Sequence, residues 1–373
     1  MASTDNKICI YAICKNEIAN VDRWLENMSE ADFIVVLDTG STDGTYEKLK
    51  SDPRVTRVEQ KVFKPWRFDQ ARNESMELVP DEANILLCTD FDEFFEPGWG
   101  DLIRNNWTPQ ITRGHYMYAW SHNEKGIPGD IFVYDKMHTR DYKWIFPVHE
   151  VLTAKDPAHK EVVLDFGDKI YLHHMQDKTK GRSNYLDLLK LSVKENPENM
   201  HCQMLLAREY LIQKQPEKAR EEYLEVLKHK DAYERNQIAL ETFGRLADLY
   251  EMIDHDINKV MEYCYKFISI DDTYREPYFI LAEALYERKK YIAAIGLIET
   301  AMEHCTHKYT WIERAPVWQD EGYVLLGACY QAIGNPKKAL ENYQKAFEIN
   351  PANQETVQNM IYAIKQISAN PQQ

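Results

Sequence analysis

No stretch of the 373-residue chain approaches the ~18 uninterrupted apolar residues of a membrane span. The polar start, Met1 to Lys7, lacks the apolar segment of a secretory signal. Seven cysteines, an odd number with no CxxC and no paired spacing, argue against a disulfide framework and for reduced thiols in a cytosolic protein. Positive charge is also short. Lys and Arg number 45 against 60 Asp and Glu, a formal net charge of −15. So acidic a surface repels polyphosphate chains, which excludes a general nucleic-acid binder. What the chain does have is core material: 44% hydrophobic and 12% aromatic residues rule out a disordered protein, and the length suits two or three domains.

The first half alternates strand and helix signals. Ile8 to Ile13 is a short apolar run, as expected of a strand buried on both faces. Val21, Trp24, Leu25 and Met28 then recur at helical spacing. Phe33 to Leu37 is a second run, ending at Asp38-Thr39-Gly40-Ser41-Thr42-Asp43-Gly44, a tight polar loop in which Ser41 or Asp43 is a candidate helix cap. Val55 to Val58 reads as a strand, Phe68 to Leu78 as a helix, and Ala83 to Thr89 as a strong strand. This order predicts an α/β domain with a mainly parallel, Rossmann-like sheet over residues 1–180. Ligands in such sheets bind beyond the carboxyl ends of the strands. Three polar clusters fall there: Lys15-Asn16-Glu17, Asp38-Thr39-Gly40 and Asp90-Phe91-Asp92-Glu93.

A linking helix is expected over 181–196, and from 197 to 373 the pattern is helical throughout. Leu206-Ala207, Leu246-Ala247, Leu281-Ala282 and Leu326-Gly327 look like one position recurring every ~35–45 residues. In the last unit Tyr323, Leu326, Gly327, Tyr330, Gly334, Ala339, Tyr343, Ala346 and Pro351 sit at the offsets of a tetratricopeptide repeat. Small residues at the Ala/Gly positions let paired helices approach, and one pair cannot bury its apolar face alone, so an array is expected.

Asp90 and Asp92 follow a buried strand directly. If the segment stays extended, residues i and i+2 point the same way and both carboxylates address one cation. An acidic strand end solvated by water is the plainer alternative.

On these residues the first ~180 positions resemble a family 2 glycosyltransferase with an A-type fold. The matching segments are Cys14 to Glu17, Ile34 to Thr45, Ala71-Arg72-Asn73, Asp90 to Glu93, Pro147 to Glu150, and Leu172-His173-His174 before the helical region. Some members of that family carry a tetratricopeptide tail, among them enzymes that glycosylate peptides. The resemblance implies a UDP-sugar donor and a divalent metal, Mn2+ or Mg2+. Asp38 would accept the uracil N3–H, while Ala12, Lys15 and Glu17 would line the nucleoside. Arg72 would touch base or diphosphate, and Lys180 and Arg182 would neutralise the leaving group. Asp90 would reach the ribose or a metal-bound water, and Asp92 would bind the metal. His173 would complete the metal shell, with His174 a second candidate.

Members of this family invert the anomeric centre, so a nearby base must take the acceptor's proton. Glu150 is favoured over His149, and Asp130 and Asp135 remain open. Lys136, His138 and Arg140 alternate among aromatic neighbours and could face an acidic ligand. Tyr116, Tyr118 and Trp120 alternate like one face of a strand, which favours core packing for most of them. The expected function is transfer of a hexose or N-acetylhexosamine onto a peptide or protein, with the repeats recruiting the acceptor or forming a homodimer. Two alternatives stand beside it: a transferase acting on a polysaccharide or glycolipid, and a non-catalytic tetratricopeptide scaffold with a vestigial sugar-nucleotide domain.

Overall fold

The computed structural model describes residues 6–122, 126–175, 185–229 and 237–369. The chain folds as two units, Met1–Ser192 and Val193–Gln373.

The first unit is built on β1 (Ile8–Cys14), buried along nearly its whole length because apolar side chains occupy both of its faces. Ile8, Ile10 and Ala12 face one core with Ile34 and Val36, while Cys9 and Tyr11 face another with Val35 and Leu37. That alternation is the period-2 geometry of an extended chain. Helix α1 (Val21–Asn27) covers the first face through Val21, Trp24 and Leu25. It leads to β2 (Phe33–Asp38), α2 (Thr45–Ser51) and β3 (Arg57–Gln60). Gly44, at positive φ, is the N-cap of α2 and no side chain caps it as expected of Ser41 or Asp43; Asp43, one residue earlier, accepts the backbone N–H of Thr45 at 3.0 Å. Helix α3 (Phe68–Met76) and β4 (Ile85–Cys88) complete a parallel set in the order β3-β2-β1-β4.

Beyond β4 the sheet departs from the mainly parallel expectation. The following elements are β5 (Glu93–Phe95), α4 (Trp99–Asn106), β6 (Arg113–Ala119), β7 (Ile131–His138), β8 (Tyr142–Ile145), β9 (Val151–Ala154), β10 (Val163–Asp165) and β11 (Tyr171–His174). Strand β7 runs antiparallel to both β4 and β6, and β5 runs antiparallel to β11; β10 and β11 lie parallel to β6. The sheet is therefore mixed: among the described residues between β6 and β7 there is no crossover helix to turn the chain back. Strands β8 and β9 form a separate hairpin whose Tyr142, Trp144 and Leu152 close the second core.

Helix α5 (Tyr185–Glu195) leads into the second unit, a tetratricopeptide-like array. Its helices pair as α6 (Met200–Ile212) with α7 (Pro216–Val226), α8 (Gln237–Asp254) with α9 (Ile257–Ile270), and α10 (Glu276–Glu287) with α11 (Tyr291–His304). A short α12 (Ala315–Trp318) precedes the pair α13 (Glu321–Ala332) and α14 (Pro336–Ile349), and α15 (Gln354–Ala369) packs on α14. Ala207, Ala247 and Ala282, at the recurring position, are fully buried. At Gly327 an added Cβ would sit 2.6 Å from the Tyr343 ring, so the aromatic of the second helix occupies the space a side chain would need. Every pair turns the same way: Lys214, His255, Lys289 and Gly334 hold positive φ. One residue later, Gln215, Lys290 and Asn335 donate to carbonyls five residues back, at Tyr210, Leu285 and Tyr330, and Asp256 donates to one six residues back, at Tyr250. That is a Schellman closure repeated three times, with a wider variant at His255. No helix among the described residues is long and apolar enough to cross a membrane.

Candidate functional site

The carboxyl ends of β1 and β2 are laced together. Asn16, itself at positive φ, donates its N–H to Ser41 Oγ at 2.8 Å and accepts from Thr42 N at 2.8 Å. Glu17 N donates to Thr45 Oγ1 at 2.8 Å, and Ile18 N to Asp43 Oδ2 at 3.2 Å. Ala12 lies buried within β1 and Lys15 is exposed, while the Glu17 carboxylate accepts from Asn20 Nδ2 at 2.9 Å.

Asp38 is wholly buried. Its Oδ1 accepts from Gly40 N at 2.9 Å, Ser41 N at 2.8 Å and Gln60 Nε2 at 2.8 Å. Burial works against its charge, but the hydrogen bonds from Ser41, Gln60 and Gly40 outweigh it and hold the carboxyl below its usual range. In this arrangement Asp38 anchors its own loop rather than presenting a free carboxylate to a uracil.

Arg72 is the hub of the adjoining β4 end. Its side chain, 5% exposed, directs Nη2 to both oxygens of Asp90 at 2.9 and 3.1 Å, Nη1 to Cys88 Sγ at 3.1 Å, and Nε to Glu150. The next residue, Asn73, exchanges two bonds with the Trp144 backbone at 2.8 and 2.9 Å, and Phe68 N donates to Pro147 O at 2.9 Å. Helix α3 thereby fixes the segment that carries His149 and Glu150. His149 is exposed at positive φ, with its ring 5.6 Å from that of Tyr185.

Asp90 and Asp92 do not share a direction. Glu93 N donates to Asp90 O at 3.1 Å, and Glu93 Oε2 accepts Asp90 N at 2.9 Å, so the four residues form a turn rather than an extended strand end. Phe91, stacked on Trp24 at 4.2 Å, pins that turn to the core. The period-2 argument for two carboxylates on one cation fails for this reason. Asp90 faces Arg72 and also Lys136, whose Nζ lies 3.6 Å from Asp90 Oδ2 and 3.9 Å from Glu93 Oε1. Burial would raise the Asp90 carboxyl, yet Arg72 and Lys136 pull it well below the ordinary carboxylate range. For Glu93, which accepts from Tyr118 OH at 2.8 Å, burial wins and pushes the group up.

Asp92 faces β11 instead. Its Oδ2 lies 3.3 Å from His174 Nε2, and its carbonyl accepts Met175 N at 2.8 Å. Burial lowers the His174 imidazole, but the Asp92 carboxylate more than compensates and raises it. His173, on the opposite face of β11, meets His122 at 2.9 Å and Glu96 at 3.2 Å. The imidazole beside Asp92 is thus His174, the second candidate, and not His173. Among the described residues no three His, Cys, Asp or Glu side chains converge as a metal cage. Lys180 and Arg182 lie outside the described residues.

Lys136, expected only as a residue that could meet an acidic ligand, is a buried partner of Asp90. The alternation with His138 and Arg140 carried that signal. The other two serve the fold: His138 Nε2 bonds Tyr11 OH at 2.7 Å, and Arg140 binds the backbone carbonyls of Val79 and Pro80. Asp130 bonds Ser121 Oγ at 2.8 Å and Asp135 pairs with Arg113 at 2.8 Å, so neither is placed as a base. In the second unit, a groove of about 310 Å³ runs between α8 and α10, bordered by Arg245, Asp248, Met252, Ile280 and Glu283.

Residues 321–353 match the tetratricopeptide repeat family. No curated protein matches the chain. Among solved structures, MamA is 24% identical, covering 45% of this chain and 82% of its own with a TM-score of 0.37. A tetratricopeptide-repeat protein of Thermus thermophilus is 15% identical over 49% of this chain and 90% of its own, also at 0.37. YrrB, described as having an unusual peptide-binding site, is 14% identical over 49% of this chain and 93% of its own, at 0.37.

Proposed function

We propose that the first unit is a UDP-sugar-dependent, inverting glycosyltransferase of the A-type fold, and that the helical repeats present its peptide or protein acceptor. One observation carries the reading. The segments that resemble family 2 glycosyltransferases, far apart in sequence, gather into two bonded groups: Asn16 with Ser41 at the ends of β1 and β2, and Arg72 with Asp90 and Glu150 beyond β4, where Asp92 also meets His174. The strand order changes direction between β1 and β4, and such a switch point is where open α/β sheets form a ligand crevice.

Asp92 and His174 fit a divalent cation as a two-ligand platform, with a carboxylate and an imidazole side by side and partly exposed. Ions of this kind commonly take one or two protein ligands and complete their shell with water and substrate phosphate. When bound, the ion would act as a Lewis acid toward the departing diphosphate. The chain's own residues do the rest. Arg72 fixes Glu150 through Oε1, which leaves Oε2 to take the acceptor's proton, with His149 beside it as the alternative base. Lys136 and Arg72 neutralise Asp90, so a second negative ligand group does not repel the incoming diphosphate.

The absence of a three-ligand cage among the described residues favours one other reading, a non-catalytic repeat scaffold. Thermal unfolding with UDP and Mn2+ separates the two. A rise in melting temperature that disappears in Asp92→Ala supports the transferase, whereas no response in the wild-type protein supports the scaffold. Recruitment has its own test: a chain ending near Lys194 that modifies a peptide with unchanged KM would refute an acceptor role for the repeats.

A further inference from the structure

The geometry points to a subsite for the sugar ring itself, with Trp120 as its floor. Within the strand-phase series Tyr116, Tyr118 and Trp120, the two tyrosines are 0% and 2% exposed, while Trp120 is 45% exposed. An isolated exposed aromatic means little. This one is held in place and stands next to the candidate chemistry. Its backbone N–H donates to Asp130 O at 2.9 Å and its backbone carbonyl lies 3.3 Å from His174 Nδ1. Its ring centroid is 4.7 Å from that of His174, whose other nitrogen contacts Asp92. The neighbouring backbone is fixed as well: Ser121 Oγ bonds both the carboxylate and the N–H of Asp130, and Gly129 N donates to Ser121 O. Tyr118, stacked on Tyr134 at 4.2 Å, supports the strand from below.

A half-exposed indole on a fixed backbone leaves apolar area in water that a ligand with an apolar face would cover. A pyranose has such a face, formed by its ring C–H bonds, and in a nucleoside diphosphate sugar it is attached directly to the second phosphate. If the Asp92–His174 pair addresses the diphosphate, the ring next along the donor meets Trp120. The β1 and β2 loops, where a nucleoside would lie, belong to other strand ends. This inference rests on the glycosyltransferase reading above and deepens it: Trp120 recognises the transferred sugar, not the nucleotide.

Calorimetric titration of the full chain with UDP and with UDP-glucose, both in Mn2+, tests it in the wild type, Trp120→Phe and Trp120→Ala. The expected result is that Trp120→Ala binds UDP-glucose roughly five- to tenfold more weakly and UDP within about twofold of wild type, with Trp120→Phe intermediate for the sugar. Equal losses for UDP and UDP-glucose would overturn the assignment, since the ring would then serve the nucleotide or the fold. An unchanged UDP-glucose affinity in Trp120→Ala would overturn it also, while leaving the transferase reading intact. A wild-type protein that binds neither compound refutes both.

Discussion

Arg72 and Asp90 form a two-pronged contact, with one guanidinium nitrogen 2.9 and 3.1 Å from the two carboxylate oxygens. The same guanidinium also holds Glu150, so three of the resemblance segments meet on one buried cation. Replacing it takes that partner from Glu150 and leaves Asp90 with Lys136, 3.6 Å away. Arg72→Leu is expected to destabilise the first unit by about 2–4 kcal/mol in urea unfolding, below the largest values for buried pairs because Asp90 keeps 35% of its side chain in solvent. The acid limb changes too. A carboxyl held below its unfolded range stabilises the fold at pH above about 4, and that contribution drains away as pH falls further. Wild type should show this acid loss, and Arg72→Leu should reduce it, with Lys136 keeping the remainder.

His174 titrates in the opposite sense. Its folded value lies above the unfolded one, so its contribution to stability is complete below about pH 6.5 and is lost as pH rises through the folded value. Asp92→Asn should lower the His174 titration midpoint measured by proton NMR. An unchanged midpoint would mean that the 3.3 Å pair does not persist in solution.

In the repeats, Gly327 lies against the ring of Tyr343. Gly327→Ala improves helix propensity but places its methyl within the ring's contact distance, and overpacking of this kind costs about 1–3 kcal/mol. A lower melting temperature is expected, substantially recovered in the double variant with Tyr343→Leu. Stabilisation by the single substitution would show that the ring moves aside freely.

Glu276, at the start of α10, is buried with Oε2 unpartnered, while Oε1 accepts Arg314 N at 2.8 Å. Burial raises its carboxyl to about 7. A raised acid stabilises the folded state at low pH and loses that advantage as pH climbs from the unfolded value to the folded one. Glu276→Gln should therefore raise the melting temperature at pH 8 more than at pH 5. An equal effect at both would show that the group is already ionised in the fold.

The sequence made the repeats and the first four strands legible for a simple reason: burial on both sides of a strand, or between paired helices, leaves long-period apolar signatures. Leu206-Ala207 and its successors had to be large-small because helices touch there. The left-handed turns at Lys214, His255 and Lys289 were invisible, since the residues adopting that geometry are not glycine. Whether residues 90–93 stay extended is not legible in strand periodicity, because the turn there is closed by Glu93's own side chain. His173 and His174 differ only in phase, and which one reaches Asp92 is decided by the antiparallel pairing of β11 with β5, a long-range register.

The most direct test is hydrolysis of UDP-glucose, UDP-galactose and UDP-N-acetylglucosamine in Mn2+, which needs no knowledge of the acceptor. Slow release of UDP from one of these donors is predicted for the wild type, with loss of at least tenfold in Asp92→Asn and in His174→Ala and a smaller loss in His173→Ala. Wild-type protein inert toward all three donors, or full turnover in both Asp92→Asn and His174→Ala, would contradict the assignment of this strand edge as a sugar-transfer site.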